Sequence, residues 1–353
     1  MKIGILTGGG DCPGLNAVIR AIVRKGVFYY NDEFVGFLEG WRGVLENLVR
    51  PLDLDAVAGI LPRGGTILRT SRTNPAGKER GLERCMENIK NQGLEALIAI
   101  GGDDTQSVSE KLFERGVKLV GVPKTIDNDL SGTDFCFGFD TAVSIATEAI
   151  DRVHTTAEAH NRVIVVEVMG RDSGWIATYS GVAGGADVIL IPESPFNVDE
   201  IADILVRRHN RGRYFSVVVV AEGAKLAGDT KVQESSAGRK DEFGHVRLGG
   251  IGNALAVEIE KRTGFETRAV VLGHLQRGGS PTAFDRMLAT RYGVGAIDLV
   301  HQGKFGEMVV LRGNHIESIP IAESISKISH VSPELINVAL SLQDRRGSKK
   351  GAA

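Results

Sequence analysis

The sequence lacks the features that define several broad classes of protein. Its three cysteines, Cys12, Cys85 and Cys136, form no CxxC pair and no Cys/His metal pattern. It has no run of about 18 apolar residues, so no membrane-spanning helix is expected. The first residues, MKIGILTGG, enter a predicted strand and lack the layout of a secretory signal. A cytoplasmic setting with reduced cysteines is therefore the expectation.

The sequence also lacks a strong net charge. Its formal net charge is −2 and its isoelectric point is about 6.5. A chain without a basic field has no general attraction for nucleic acid or for an anionic membrane, so neither is expected as a partner. Any basic residue that binds an anion must act locally. The length of 353 residues fits two α/β domains, and 42% hydrophobic residues are typical of a globular protein.

Familiar nucleotide and nucleophile motifs are missing as well. The chain has no GxGxxG with an acidic residue at the required offset, which argues against a dinucleotide-dependent dehydrogenase. It has no GxxxxGK[ST] phosphate loop, and no predicted strand ends in a serine or cysteine nucleophile motif. Other residue types must therefore carry the chemistry.

What the chain does have is a series of short apolar runs, most of them separated by helix-like segments. Continuous runs are typical of strands buried on both faces, and strand–helix–strand order predicts parallel sheets with right-handed crossovers. We therefore expect an α/β fold of two doubly wound, Rossmann-like domains, with mainly parallel sheets and the active site between them. The predicted strands lie at 2–6, 33–37, 96–100, 118–122, 162–168, 187–191, 214–220, 268–272 and 307–311.

The segment 223–250 departs from this pattern. It is polar and shows no apolar periodicity. We interpret it as a long surface excursion or a hairpin.

Ligands of open α/β sheets bind beyond the carboxyl ends of the strands, so the residues that follow each run are the candidates. The first run is followed by Gly8–Gly10, which permit either the close approach of an anion or a plain tight turn. The third run is followed by GGDDT, in which Asp103 can hold Mg²⁺. Alternatively, Asp103, Asp104 or Thr105 caps the following helix.

The fourth run is followed by the loop VPKTIDND, which combines one lysine with two aspartates. One of Asp127 and Asp129 can accept a hydroxyl proton while the other positions the hydroxyl or a metal ion. Lys124 can meet a phosphate as a compact cation. The competing interpretation is a loop of Asx turns with solvated charges.

Further polar residues stand at predicted strand ends in the second half of the chain. Arg171 can stabilise charge on a transferred phosphoryl group, and Glu222 can accept hydrogen bonds from substrate hydroxyls. His274 and Arg277 stand beside glycines, which favours phosphate binding, although a lone histidine is more often structural. Arg162 lies at the start of its predicted strand. An extended chain places it too far from the carboxyl end of that strand to bind the same ligand as Arg171. Arg162 would serve another subunit's site or be structural.

This inventory matches what phosphoryl transfer needs, namely positioning, Mg²⁺, cationic clamps and one base, with little covalent chemistry. A catalytically silent sugar-phosphate sensor is the alternative from another class. Such a sensor needs neither a metal ligand such as Asp103 nor a base such as Asp127.

Six motifs resemble the phosphofructokinase family in their order and spacing. The resemblance extends from residue 1 to about residue 300, and the set is highly specific, although GGD alone also occurs in NAD kinases and lipid kinases. It implies Mg²⁺-dependent phosphorylation of the 1-hydroxyl of fructose 6-phosphate, a reaction of glycolysis. The motifs are TGGGDCPGLNAVIR, GGDDT, PKTIDND, VEVMGRDSGW, AEG and LGHLQRGGSP.

The resemblance also implies a role for each matched residue. Asp127 is the implied base, with Thr125 and Asp129 beside it, and Asp103 is the implied Mg²⁺ ligand. Arg171 is implied to stabilise the transferred phosphoryl group. The residues implied to lie along the donor are Gly10, Arg72, Gly102, Asp104 and Lys124. Those implied to bind the sugar phosphate are Thr125, Asp127, Met169, Gly170, Arg171, Glu222, His274 and Arg277, with Arg162 and Arg268 reaching it from a neighbouring subunit.

Two positions bear on the identity of the phosphoryl donor. The ATP-using bacterial members usually read GGDG and GTIDND, whereas this chain has Asp104 and Lys124 in place of two glycines, as pyrophosphate-dependent members do. A carboxylate at 104 adds bulk and a like charge against a nucleotide, and Lys124 can neutralise a leaving phosphate. Pyrophosphate is therefore the predicted donor, in a reversible reaction. The ATP-dependent enzyme of the same family is the alternative.

The resemblance further implies domain roles and an oligomer. Residues 1–138 and 276–326 are expected to bind donor and Mg²⁺, and residues 139–275 and 327–353 to bind the sugar phosphate. A homodimer or homotetramer with active sites shared across subunits is expected.

Control by ADP and phosphoenolpyruvate is expected to be weak or absent. Allosteric bacterial members carry Arg, Asp and Arg in the effector pocket. Leu54, Gly59 and His154 occupy those positions in this chain.

Overall fold

A computed structural model describes residues 1–227, 242–244 and 249–343 of the chain. Most of the segment predicted as a surface excursion, 228–241 and 245–248, lies outside the described residues. The chain divides into two compact units. The first comprises Met1–Thr141, Lys240–His245 and Arg277–Ser329, and the second Ala142–Arg239, Val246–Gln276 and His330–Ala353.

The described residues contain eleven strands and eleven α-helices. The strands are β1 (Lys2–Thr7), β2 (Glu33–Phe37), β3 (Val49–Leu52), β4 (Ala96–Gly101), β5 (Leu119–Pro123), β6 (Val163–Val168), β7 (Val188–Leu190), β8 (Ser216–Ala221), β9 (Thr267–Val271), β10 (Glu307–Arg312) and β11 (His315–Pro320). The helices are α1 (Leu15–Lys25), α2 (Trp41–Glu46), α3 (Gly81–Asn91), α4 (Asp103–Phe113), α5 (Phe139–His160), α6 (Trp175–Ala183), α7 (Val198–His209), α8 (Ile251–Thr263), α9 (Ala283–His301), α10 (Ile321–Ser324) and α11 (Pro333–Ser341).

The first unit is built on a seven-stranded sheet in the order β11-β10-β5-β4-β1-β2-β3. Its inner pairs are parallel, and only the outer pairs β2–β3 and β10–β11 are antiparallel. The chain runs from β1 outward to β2 and β3, then returns to the other side of β1 to form β4 and β5. The loops after β1 and β4 therefore leave the sheet side by side, at the switch point where such sheets bind ligands.

The second unit has a smaller sheet of four parallel strands in the order β7-β8-β6-β9. The chain builds β7 and β8 on one side of β6 and then crosses to form β9 on the other side. The loops after β6 and β9 consequently meet at a second switch point.

Burial on both faces explains why the strands read as continuous apolar runs. Every residue of β4, β6 and β8 is buried. In the first unit, one face of the sheet packs Leu97 and Met308 against Trp41 and Leu112. In the second unit, β6 and β8 pack against apolar residues of α7 and α8. Full burial of each large apolar side chain contributes about 1.5–3 kcal/mol, so these layers hold the strand ends in place.

The predicted fold class is confirmed, since both sheets are mainly parallel and helices alternate with strands. Each of the nine predicted runs forms a strand. The prediction missed β3 and β11, the two antiparallel edge strands. β3 is short and contains Pro51, and β11 alternates exposed residues with partly or fully buried ones. Neither gives the continuous apolar signal of an inner strand.

Cys12, Cys85 and Cys136 are all buried, and none forms a disulfide. Within the described ranges, no helix has both the length and the apolar content needed to cross a bilayer.

We expect Tyr292→Phe to lower the free energy of unfolding by about 1–3 kcal/mol, because it removes the hydrogen bonds of a buried hydroxyl. The Tyr292 side chain is fully buried, and its hydroxyl donates to the Phe135 carbonyl at 2.6 Å and lies 2.8 Å from the Thr133 hydroxyl. Urea denaturation of both proteins measures the change. Tyr29→Phe is the matched control, since Tyr29 is 79% exposed and its loss should change stability by less than about 0.5 kcal/mol. Equal effects of the two substitutions would contradict this account.

Candidate active site

The glycine loop after β1 packs against the start of α4. The Gly8 amide donates to the Ile100 carbonyl at 2.9 Å, and a Cβ at Gly8 would lie 2.5 Å from the Thr105 hydroxyl oxygen. Gly9 adopts a left-handed conformation with φ of 78°, which favours glycine. The loop therefore needs its glycines for packing and backbone shape whether or not an anion binds there.

Arg72 lies in a segment that contacts the same loop. The Gly9 amide donates to the Ser71 carbonyl at 3.2 Å, and the Thr70 hydroxyl donates to the Gly9 carbonyl at 2.6 Å. Arg72 follows directly in the chain and is exposed. The structure thus places it beside the glycine loop.

The GGDDT segment joins the end of β4 to the first turn of α4. Gly102 is the N-cap residue, so none of Asp103, Asp104 and Thr105 is the cap residue considered from the sequence. Asp103 is exposed and Asp104 is half-buried. Two carboxylates in a first turn are stabilised by the positive end of the helix dipole. Asp103 lies two residues beyond the end of β4, next to the glycine loop.

Lys124 reaches from the end of β5 to the glycine loop. Its side chain is almost fully buried, and its ammonium donates to the Gly10 carbonyl at 2.5 Å. Burial lowers the pKa of Lys124 below its ordinary value. Arg277 reaches the same loop, because its guanidinium donates to the Asp11 carbonyl at 3.2 Å. Two cations therefore flank Gly10, an arrangement suited to a phosphate group.

Asp127 and Asp103 both lie close enough to Asp129 to oppose its ionisation, beside this cationic pair. Burial, followed by the charges of Asp127 and Asp103, raises the pKa of Asp129 to about 7. The Thr125 hydroxyl hydrogen-bonds to the Asp129 carboxyl, and it also accepts from the Asp127 amide at 3.0 Å. The structure therefore brings the predicted base, its neighbours and the predicted metal ligand together.

This carboxylate cluster fits a partial site for Mg²⁺. No group of three or more His, Cys, Asp or Glu side chains within the described residues could hold a metal ion unaided. Mg²⁺ in proteins usually keeps several waters and takes only one or two carboxylates together with substrate phosphates. Asp103, exposed and near two other carboxylates, suits that kind of site.

In the second unit, the loop after β6 meets the loops after β8 and β9. The Met169 amide donates to the Gln276 side-chain oxygen at 3.3 Å, and the Gly223 amide donates to the Gly170 carbonyl at 3.0 Å. A Cβ at Gly223 would lie only 1.8 Å from the Arg171 carbonyl oxygen. Glycine at 223 therefore permits the contact between the loops that carry Arg171 and Glu222.

Arg171 offers a desolvated donor. Its Nε is buried and has no hydrogen-bond partner among the residues that the structure describes. A buried donor in that state gains strongly from an anionic ligand. Glu222 is half-buried after β8, and His274 is exposed in the short 3₁₀ helix after β9. These residues all lie at the carboxyl ends of their strands.

Arg162 and Arg268 lie at the opposite edge of the same sheet. Both pair with Glu266 at 2.7 Å, at the amino ends of β6 and β9. Seven residues of extended chain separate Arg162 from Met169, about 23 Å at the usual rise per residue. The structure does not bring these two arginines to the site that contains Arg171 in the same chain.

Sequence reasoning missed the polar residues that shape these loops. Asn128 is buried in a left-handed conformation and bonds to the Asp134 carbonyl and the Cys136 amide. Gln276 bridges Met169 and the Gly273 carbonyl. The Asp-Asn-Asp sequence was a usable signal for the first, because asparagine tolerates a left-handed turn. Gln276 has no comparable signal in the sequence.

Comparison with known proteins identifies close relatives. A model of the family described as "Phosphofructokinase" matches residues 2–300. A "Pyrophosphate--fructose 6-phosphate 1-phosphotransferase" of Streptomyces coelicolor is 60% identical over 95% of this chain and 97% of its own length. An "ATP-dependent 6-phosphofructokinase 3" of the same organism is 51% identical over 94% and 96%.

A solved structure supports the same relationship. The chain superposes on the T-state phosphofructokinase of Pichia pastoris with a TM-score of 0.81 and 31% identity. The match covers 97% of this chain and 36% of that longer chain.

We expect Asp103→Asn to lower the pKa of Asp129 in the metal-free protein, because it removes one of the charges that oppose ionisation. Carbon-13 NMR titration of labelled aspartate carboxyls measures the shift. Glu87→Gln, which changes an exposed carboxylate on α3, is the control and should leave the pKa of Asp129 unchanged.

The stability of the fold also depends on the ionisation of Asp129. The pKa of Asp129 is raised in the folded chain, so its stabilising contribution is complete below the ordinary carboxyl pKa and is lost as the pH rises through about 7. Asp103→Asn should therefore flatten the decline in stability over that range. An unchanged pKa of Asp129 in Asp103→Asn would show that the two carboxylates do not interact.

Proposed function

The chain belongs to the phosphofructokinase family, and we propose that it transfers a phosphoryl group reversibly from pyrophosphate to the 1-hydroxyl of fructose 6-phosphate. The observation that carries the proposal is the buried Lys124 ammonium on the Gly10 carbonyl, next to the first turn of α4 with its two aspartates. The printed name of the 60% identical relative supports it.

The proposed transfer begins with Asp127 as the base. Its carboxylate takes the proton of the 1-hydroxyl as the sugar oxygen attacks the nearer phosphorus of pyrophosphate. The bond from that phosphorus to the bridging oxygen breaks, and inorganic phosphate leaves with the bond's electron pair. Arg171 stabilises the charge on the transferred group through a guanidinium whose Nε is already desolvated. Thr125 and Asp129 hold the hydroxyl and the base in position.

Asp103 would hold Mg²⁺ in this proposal. When bound, Mg²⁺ neutralises charge on the phosphate oxygens of the donor. The raised pKa of Asp129 supports a cation here, because burial and then the charges of Asp127 and Asp103 oppose the ionisation of its carboxyl.

Lys124 and Asp104 would set the choice of donor. Lys124 neutralises the charge on the leaving phosphate. With a nucleotide as donor, the nucleotide itself would spread that charge. The half-buried Asp104 adds bulk and negative charge where a nucleotide would continue beyond its second phosphate. Gly10, Gly102 and Arg72 complete the donor side. The second candidate is the ATP-dependent reaction, which the 51% identical relative favours.

The sugar phosphate would be bound mainly by the strand-end loops of the second unit. Met169 and Gly170 offer backbone contacts in a loop whose shape Gly223 and Gln276 fix. Glu222 accepts hydrogen bonds from sugar hydroxyls, and His274 contributes a polar group. Arg277, which belongs to the first unit and donates to the Asp11 carbonyl, contributes a cationic group.

Arg162 and Arg268 would complete the sugar-phosphate site of a neighbouring subunit, within a homodimer or homotetramer. Their distance from Arg171 along β6 and β9 supports this assignment, because they cannot serve the same chain's site. Their shared partner Glu266 keeps the two guanidiniums close together.

The enzyme would act in the cytoplasm without strong effector control. His154 hydrogen-bonds the Gly184 carbonyl at 2.8 Å, and Gly59 has a left-handed φ of 70°. Neither these residues nor Leu54 supplies the charges that an effector pocket for a nucleoside diphosphate would need.

The donor is tested by offering pyrophosphate or ATP separately, with fructose 6-phosphate and Mg²⁺, to the wild type and to Asp104→Gly. We expect activity with pyrophosphate alone in the wild type, and a gain in ATP use of at least about 10-fold in the variant as bulk and charge are removed. Asp55→Gly, which alters an exposed aspartate in the loop after β3, is the control. Strong ATP activity in the wild type would overturn the assignment of the donor but not that of the sugar.

The shared site is tested by mixing Arg162→Ala with Asp127→Asn. Each variant should be almost inactive alone. Refolding them together should restore about a quarter of wild-type activity if dimers form at random, because each hybrid then has one intact site. The same variants refolded separately and then mixed, without exchange, are the control. No recovery on joint refolding would show that Arg162 serves its own chain or is structural.

A further inference from the structure

Glu193 is a buried carboxylate outside the set of residues predicted to touch substrate. Its side chain is only 8% exposed. One oxygen, Oε1, accepts from the Gly174 amide at 3.0 Å and from the Val331 amide at 3.0 Å. The carboxylate therefore joins the segment after the Arg171 loop to the segment that leads into α11.

A rigid turn holds Glu193 in place. It follows β7 in the sequence IPESPF, and the Ser194 amide donates to the Ile191 carbonyl at 3.2 Å. Pro192 takes the second position of that turn, where its fixed φ suits the geometry. The carboxylate is thus presented from the end of a strand, with little freedom to move.

Gly174 is shaped to receive this carboxylate. It is the N-cap residue of α6, and a Cβ there would lie 2.4 Å from the Ile191 Cβ and 2.9 Å from Glu193 Oε2. A negative charge at the N-terminus of α6 is also stabilised by the helix dipole. Substitution of either partner would therefore shift the start of α6.

The loop that carries Arg171 is consequently fixed at both ends. Gln276 accepts from the Met169 amide, and Gly223 packs on the Arg171 carbonyl, at the side of β6. Glu193 holds the other end through Gly174. Arg171 lies between these anchors, and its direction depends on both.

The energetics argue against a purely stabilising role. Glu193 Oε2 is buried and has no hydrogen-bond partner within the described part of the chain. The exposed His330 ring lies with its Nδ1 3.8 Å from Oε1, too far for a hydrogen bond. A buried carboxylate with one unsatisfied oxygen is costly. We propose that Glu193 is a positioning residue for Arg171, an inference that rests on the proposed phosphoryl transfer.

Kinetics of Glu193→Ala and Glu193→Gln test the proposal. The alanine variant should lose about 10-fold or more in kcat while the KM for pyrophosphate changes by less than about 2-fold, because Arg171 acts on the transferred group. The glutamine variant keeps an acceptor oxygen and should retain most of the wild-type kcat. Glu193→Asp, whose shorter side chain withdraws the acceptor, gives the same test if the alanine variant does not fold.

Asp187→Asn is the matched control for stability. Asp187 lies at the opposite end of β7, is also largely buried, and accepts from the Val217 amide at 3.0 Å while pairing with Arg208. It should lower the melting temperature without changing kcat. An equal loss of kcat in Asp187→Asn and Glu193→Ala would mean general destabilisation and would overturn the proposal.

Amide hydrogen exchange provides a readout independent of activity. The Gly174 amide should exchange faster in Glu193→Ala than in the wild type and in Asp187→Asn, since it loses its acceptor. Unchanged exchange, or faster exchange with unchanged kcat, would overturn the proposal. If the wild type showed no transfer from pyrophosphate or ATP, the proposed function would fail, and exchange at Gly174 alone would decide whether Glu193 holds the loop.

Discussion

The contact between the Lys124 ammonium and the Gly10 carbonyl sets the geometry of the first unit's strand ends. Lys124 directly follows β5 and Gly10 follows β1. In the sheet, β4 lies between these two strands. The lysine side chain therefore crosses the end of β4 to reach the glycine loop. Its burial lowers its pKa and makes an unpartnered ammonium costly, so the loop and the lysine hold each other in place.

This arrangement leaves a charge pattern that suits a bridging anion with a divalent cation. On one side, Lys124 and Arg277 flank the glycine loop. On the other, burial and then the charges of Asp127 and Asp103 raise the pKa of their neighbour Asp129. Like charges repel one another within the cationic pair and within the aspartate cluster. A ligand that brings both phosphates and a metal ion relieves both repulsions. The charges of these side chains are therefore complementary to the charges of the phosphates and the metal ion.

The sequence contains enough information for the inner strands and for most of the charged residues of the site. Apolar runs mark β4 and β6, and parallel strands place their following loops at one edge. It does not reveal Gln276 or Glu193, whose partners lie far away in the chain and become neighbours only when the loops meet. Edge strands such as β11 are hidden for another reason, because their exposed residues remove the apolar signal.

The division between framework and charged residues also bears on the choice of donor. Relatives named for pyrophosphate and for ATP match this chain over almost its whole length, at 60% and 51% identity. A framework that similar cannot by itself distinguish the donors. The framework is held by residues that bond to backbone, such as Asn128, Gln276 and Lys124. Asp104, in the first turn of α4, is the side chain that we propose to exclude a nucleotide. Donor choice can therefore change through a few side chains while the framework, and with it the sugar site, stays the same.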